Sequence, residues 1–406
     1  MASSKRYENT LVTILFFTWG TVFLDRMSLL YLAPYFAPEF HLNEQQIGTL
    51  ASVLAITWAA STLIFGALSD RVGRKPVLVP AVLIFSALSW VSGMAHSYHG
   101  LLLIRALMGI AEGPTWSIMT ALVEESSHPN RRGRNIGLVV SAAALVGLAA
   151  APVLTTQVAA RWGWRSAFFV AGIPGVAMAT LLWKFVREPE PAGGHAHQPI
   201  SVSEYFSILR YPNIWLCCMG AAGFISWLFV MNVFAPLYLT RVAHQDPRTA
   251  GLLLGATGLG SFFLGFLLPS LSDRLGRRPV LLIMASMSAI VPLAFLCPVL
   301  QAHFLWLAAI IFLTNTGQGI ASLVMVLIPT ESVPGRFRAT SIGLATLAGE
   351  VMGATAAPII AGGLAEKYGL PLTMWLAAVG SAVVFVAAIF LRETSGSRAF
   401  AEAPTL

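Results

Sequence analysis

Gly66-Ala-Leu-Ser-Asp70-Arg-Val-Gly-Arg-Lys75 returns, 203 residues later, as Pro269-Ser-Leu-Ser-Asp273-Arg-Leu-Gly-Arg-Arg278. Other matches surround it. Glu125…Pro129…Arg134…Ile136-Gly137-Leu138 returns as Glu331…Pro334…Arg338…Ile342-Gly343-Leu344, and Ala151-Pro152 returns as Ala357-Pro358. Gly163 returns as Gly369, at an offset of 206. Independent matches at one near-constant offset mark a duplicated unit. The chain is therefore two copies of one architecture, and what lies on either side of the repeated decapeptide decides what that architecture is.

It is flanked by apolar runs. Of the 406 residues, 56% are hydrophobic and 11% are charged, against about 25% charged in soluble domains. The apolar residues come in runs about as long as the ~20 residues that span a ~30 Å hydrocarbon layer. Backbone groups in lipid must be satisfied internally, so such runs are helices. They are read at 10–36, 45–68, 77–95, 100–124, 135–158 and 166–187, then at 213–240, 248–270, 279–298, 304–329, 339–364 and 371–391. The fold class is an all-α membrane protein, twelve transmembrane helices in two pseudo-symmetric six-helix bundles: residues 1–187, a cytoplasmic linker 188–212, and residues 213–406. The linker holds Glu-Pro-Glu-Pro, Gly-Gly, His195 and His197 without carboxylates or cysteines at ligand spacing, so it reads as a solvated loop.

The net charge of +7 resides in short loops between the apolar runs, which argues for membrane topology and against nucleic acid. With the N-terminus inside, 18 Lys and Arg fall on the cytoplasmic side and five outside, so both termini are expected in the cytoplasm. The first run carries Asp25 and Arg26 and ends without a small-residue cleavage site, so it is expected to be retained as a helix. Cys217, Cys218 and Cys297 lie within spans in no metal-ligand spacing and read as packing residues.

Ionisable residues at membrane depth are costly and mark candidate sites. Asp25 and Arg26 lie on the first helix, Arg105 and Glu112 on the fourth, and Glu350 on the eleventh. Arg105 and Glu112 are seven apart, two helical turns, and share a face. At the repeat offset, Glu112-Gly113 falls on Gln318-Gly319 and Arg105 on Ile311. Charges needed only to hold helices together would be expected in both halves. The asymmetry points to proton handling in the first half, with neutral substrate contacts in the second; a static buried ion pair is the alternative. Low dielectric disfavours an ionised carboxylate and a nearby guanidinium favours it, so such a group can load and release a proton as access changes. Trp58, Trp227, Asn232, Asn315 and Gln318 are candidate cavity-lining residues or packing residues, and Glu350 either lines the cavity or bonds a neighbouring helix. A nucleotide-driven pump would need Gly-x4-Gly-Lys-Ser/Thr, which the chain lacks. No nucleophile–base pair points to an intramembrane enzyme, and no cofactor or metal is expected.

The two decapeptides lie in the loops between the second and third and between the eighth and ninth spans. There they resemble the signature loop of the major facilitator superfamily, a resemblance that covers residues 10–392. It implies solute transport by alternating access, with Gly66, Asp70, Arg71, Gly73, Arg74, Asp273, Arg274 and Arg277 in a gate network. Glycine permits close helix approach and a tight turn, and the acid caps a helix or accepts from a guanidinium. Pro269 in place of Gly66 predicts looser packing of the second copy.

Leu24-Asp25-Arg26 with Arg105-x3-Gly109-x2-Glu112-Gly113 resembles the anion:cation symporter family, which includes galactonate, hexuronate and phthalate carriers. That resemblance implies Asp25 and Glu112 as proton sites, Arg26 as contact to a small organic anion, and Arg105 as the partner that tunes Glu112. The function it implies is proton-coupled symport of a carboxylate or sugar acid by a monomer in a bacterial inner membrane. The spinster-like lipid transporters show a similar Asp-Arg and Gly-x-x-Glu pattern, which keeps a lysolipid carrier open. An uncoupled facilitator also stays open. Pro329-Thr-Glu331-x-x-Pro334…Arg338-Ala-Thr340 is more similar to sugar or aromatic-acid carriers.

Overall fold

A computed structural model describes residues 2–188, 208–334 and 337–395, and these are helical without strands. The first half comprises α1 (Ala2–Glu39), α2 (Glu44–Val72), α3 (Lys75–Gly93), α4 (Tyr98–Ser126), α5 (Arg132–Trp162) and α6 (Trp164–Phe185). The second comprises α7 (Pro212–Arg241), α8 (Pro247–Leu275), α9 (Arg277–Leu296), α10 (Phe304–Glu331), α11 and α12 (Pro371–Phe390). Helix α11 joins three stretches, Arg338–Ala348, Gly349–Ala356 and Ala357–Tyr368. Among the described residues, 11 helices are long and apolar enough to cross a bilayer. The twelfth, α4, has 29 residues, but Arg105, Gly109, Glu112, Gly113, Pro114 and Thr115 dilute its apolar content.

Several boundaries differ from the sequence reading. Helix α1 begins at Ala2, because Glu8 is held by Arg131 at 2.7 Å and by Asn135 at 2.7 Å, which ties its polar first turns to the start of α5. Helix α10 is interrupted at Asn315 and Thr316. Side chains satisfy the freed backbone: Asn315 Oδ1 accepts the Gly317 N–H at 3.1 Å, and Ser288 Oγ accepts that of Thr316 at 3.3 Å. Helices α5 and α11 each widen to i→i+5 bonding at matching repeat positions, Ala143–Ala150 and Gly349–Ala356. In both, the widened turn runs into Ala-Pro, whose proline offers no backbone donor. The linker residues 189–207, with His195 and His197, lie outside the described residues.

The duplication is visible in the packing. In the first half α2 packs on α4 and α3 on α6; in the second α8 packs on α10 and α9 on α12. The halves meet along three seams, α2 against α11, α5 against α8 and α1 against α7. These seams lie at mid-depth and toward the end carrying residues 40–44 and 241–247, the end opposite the two decapeptides. There a Cβ on Gly48 would lie 2.9 Å from the Pro358 carbonyl carbon, and one on Gly362 would lie 2.6 Å from the Glu44 carbonyl oxygen. Across the second seam, a Cβ on Gly251 would lie 2.7 Å from the Pro152 carbonyl oxygen. Arg241 and Glu44 pair at 2.9 Å at the same end. At the decapeptide end, by contrast, Arg132–Ala142 packs on α1 and α4, and Arg338–Ala348 packs on α7 and α10, each within its own half. The bundle is closed at the end opposite the decapeptides.

Candidate functional site

The charges picked out in the sequence meet at mid-depth, and the structure separates the adjacent pair Asp25 and Arg26. Consecutive helical residues project about 100° apart. Asp25 turns into its own half, where its Oδ1 accepts from the Ser89 hydroxyl at 2.7 Å and Oδ2 has no hydrogen-bond partner. Arg26 turns to the other half. Its Nη2 lies 3.5 Å from Glu350 Oε2, an ion pair joining α1 to the widened stretch of α11. The guanidinium carbon also lies 4.9 Å from the Phe229 ring centre, 5.4 Å from that of Trp58 and 5.9 Å from that of Phe23. Glu350 thus reaches α1 from the second half through an ion pair.

Arg105 and Glu112 share a face of α4, yet they are not hydrogen-bonded to each other. Arg105 Nη2 donates to the Arg26 backbone carbonyl at 2.9 Å, and Nη1 reaches Met108 Sδ at 3.2 Å. The guanidinium therefore fixes the backbone at Arg26. Both carboxylate oxygens of Glu112, which is fully buried, lack a hydrogen-bond partner among the described residues. Burying a carboxylate in that state is costly.

A small cavity in the second half is lined by Trp227, Asn232, Asn315, Thr257 and Ser261, with Leu148 of the first half at its edge; neither Trp58, Gln318 nor any of the five charged residues lines it. Trp227 is pinned by its indole N–H donating to the Ser288 carbonyl at 3.1 Å, so it presents a fixed ring. Asn232 accepts from the Tyr31 hydroxyl at 2.6 Å, which crosses from α1 to α7. Gln318 is held through its backbone N–H, which donates to Ser261 Oγ at 3.0 Å.

The two decapeptides form matching networks. Gly73 and Gly276 adopt φ of 105° and 98°, conformations that favour glycine, and turn the chain sharply into α3 and α9. Arg74 donates to Ser69 Oγ at 2.9 Å and to Glu125 at 3.1 Å. Its counterpart Arg277 donates to Ser272 Oγ at 2.6 Å, to Glu331 through Nε at 3.2 Å and Nη2 at 2.8 Å, and pairs with Asp273 at 2.6 Å. Arg71 and Arg274 are exposed, and the Asp70 side chain lies outside the described residues. A Cβ on Gly66 would lie 3.3 Å from Ser117 Oγ of α4, and in the second copy a Cβ on Gly319 of α10 would lie 3.2 Å from Pro269 Cδ.

Two acids missed in the sequence complete these networks. Glu188 accepts from the N–H groups of Arg74 and of Lys75, the latter at 3.0 Å. Glu393 accepts from those of Arg277 at 2.7 Å and Arg278 at 3.2 Å. Each carboxylate follows the last helix of its half and caps the first turn of the third, where helix N–H groups and the dipole favour an anion. The signal was present as Arg187-Glu188 and Arg392-Glu393, one repeat apart.

The description of the Major Facilitator Superfamily matches residues 15–355 and 224–405. A probable L-galactonate transporter of Escherichia coli (strain K12) is 27% identical over 63% of this chain, which spans 60% of that relative's length. A sialic acid transporter of the same organism is 26% identical over 92% of both chains. Among solved structures, a bacterial homolog of the human lysosomal transporter Spinster, inward-facing and occupied, superposes with a TM-score of 0.75 at 20% identity, over 95% of this chain and 97% of that one. A duplicated twelve-helix bundle, matching decapeptide networks and these matches converge: this chain belongs to the major facilitator superfamily of membrane transporters.

Proposed function

We propose that the protein is a proton-coupled symporter of a small organic anion, a carboxylate or sugar acid, working by alternating access between residues 1–187 and 213–406. The observation that carries this is Arg26. It is 3% exposed, lies at the junction of the halves, and both Nε and Nη2 lack a hydrogen-bond partner. Those two groups form the side-on fork that matches a carboxylate. The relatives named as galactonate and sialic acid transporters carry acid sugars, which supports the same class of solute.

In this reading Glu112 carries the coupled proton, and Asp25, held by Ser89, is the second acid. Arg105 positions the Arg26 backbone between them. Trp58, Trp227, Asn232, Asn315 and Gln318 shape the neutral remainder of the site, and Glu350 faces Arg26. In this reading the decapeptide end and both termini face the cytoplasm, which the charge distribution supports. The closed opposite end then makes this an inward-open state, and the decapeptide networks form the gate that closes in the outward-open state. The solute path lies within one chain, so a monomer in a bacterial inner membrane suffices.

Thermal-shift and equilibrium binding with galactonate, sialic acid, glucuronate, neutral hexoses and lysolipids tests this. Saturable binding of at least one acid sugar, with proton uptake in proteoliposomes, is expected. Preference for lysolipid over every carboxylate would replace this reading with a lipid carrier. Cysteine reporters at Ser97 and His303 should label from outside, and one at Arg132 should not.

A further inference from the structure

The geometry points to Glu350 as a built-in competitor for the substrate's carboxylate: it occupies the approach to Arg26 that an anion must take, and binding requires its displacement. This rests on the reading of Arg26 as the anion contact and adds a specificity role that the charge pattern alone does not contain.

Three observations carry it. First, Arg26 has aromatic rings around its guanidinium, with Phe229, Trp58 and Phe23 at 4.9, 5.4 and 5.9 Å from its central carbon. Rings over a guanidinium favour its faces and leave its edge for carboxylates. Second, Glu350 stands at that edge but does not close on it. Its Oε2 is 3.5 Å from Nη2, an ion pair without a hydrogen bond, and Nε, Nη2 and Oε2 all remain without hydrogen-bond partners. A settled buried pair would satisfy the fork with two bonds of about 2.8 Å. This one supplies charge neutrality while leaving the donors available, so a ligand that makes both bonds has an advantage over it. Third, Glu350 is the acid that reaches Arg26 from the second half, while Glu112 acts on it from the first half without a hydrogen bond. Helix α7 carries no charged residue between Pro212 and Arg241, nor does α2 between Glu44 and Asp70. Behind Arg26 on α1 and α4 stand Asp25, committed to Ser89, Arg105, and the unpartnered Glu112. The repeat position of Glu350 in the first half is Ala144, so this acid is no part of the shared scaffold.

The chemistry follows directly. With the site empty, Glu350 neutralises Arg26 from across the junction. A neutral sugar cannot replace that charge and leaves the pair intact. An anion can, so Glu350 filters for charge.

The test is equilibrium binding of galactonate, sialic acid and glucuronate to the full-length wild type, Glu350→Gln, Arg26→Gln and the double variant. Glu350→Thr serves as a second uncharged variant where Glu350→Gln is not recovered. If Glu350 holds Arg26 for all but about a tenth of the time, removing its charge tightens binding of at least one acid about tenfold. The tightening should vanish in the Arg26→Gln background. Wild-type binding with unchanged or weaker affinity in Glu350→Gln overturns this inference and leaves the proposed function standing. Tightening that persists without Arg26 also overturns it, since Glu350 then acts elsewhere. Binding of none of the three acids to any of the proteins fails both readings.

Discussion

The Tyr31 hydroxyl donates to Asn232 Oδ1 at 2.6 Å, and Asn232 in turn gives its Nδ2 to the Leu228 carbonyl at 2.7 Å. Tyr31 belongs to the first half and Asn232 to the second, so this chain of bonds anchors α1 to a backbone carbonyl of α7. Asn232, read in the sequence as a lining residue, is thus also a tie between halves, one and a half turns beyond Arg26 toward the closed end.

Tyr31→Phe removes the donor and leaves Asn232 Oδ1 without it. The cost falls on the state in which the halves meet here, at about 1–2 kcal/mol. The expected outcome is a shift toward the alternative state, seen by spin-label distances as a wider opening between Asn43 and His244. Unchanged distances would mean the bond is incidental to the seam.

Glu112→Gln keeps the shape of a side chain whose oxygens have no donors and removes its ability to exchange a proton. Proton-driven accumulation should be lost while substrate counterflow continues at near wild-type rate. Proton-driven accumulation that survives in this variant would move the coupling role to Asp25.

Arg26→Lys retains the charge but replaces a planar fork with a point charge. Carboxylate affinity should fall about tenfold or more, the loss of roughly one charge-assisted bond. Isothermal titration reads this directly, and an unchanged Kd would show that the anion does not use the fork.

The caps on α3 and α9 make a symmetrical prediction. Glu188→Ala and Glu393→Ala each remove a carboxylate bridging two first-turn N–H groups, and each should cost about 1–2 kcal/mol. Because the networks match, the two losses should be similar in chemical denaturation or heating. A much larger effect on transport than on stability in either would show that the cap also works as part of the gate.

The helical runs, the duplication and the depth of the charges were legible because each is a one-dimensional pattern: hydropathy, offset and count. What each charge faces was not. Asp25 and Arg26 are neighbours in sequence, and only the rotation of α1 decides that one meets Ser89 and the other Glu350. Arg105 and Glu112 satisfy the spacing of a pair, but the guanidinium finds a backbone carbonyl on another helix instead. The break at Asn315 escaped because the side chains that replace the missing helix bonds are Asn315 itself and two serines, Ser261 and Ser288, on other helices.

The closed seam has a consequence for how this protein tolerates change. At Gly48, Gly251 and Gly362 the halves touch backbone to backbone, so the contact is made from missing side chains rather than interlocking ones. Such surfaces part without unthreading anything, which suits a joint that must open in every turnover. It also inverts the usual outcome of an alanine scan. Elsewhere alanine deletes a contact, whereas here a single methyl is a wedge, and these three positions should be intolerant of the mildest substitution in the genetic code.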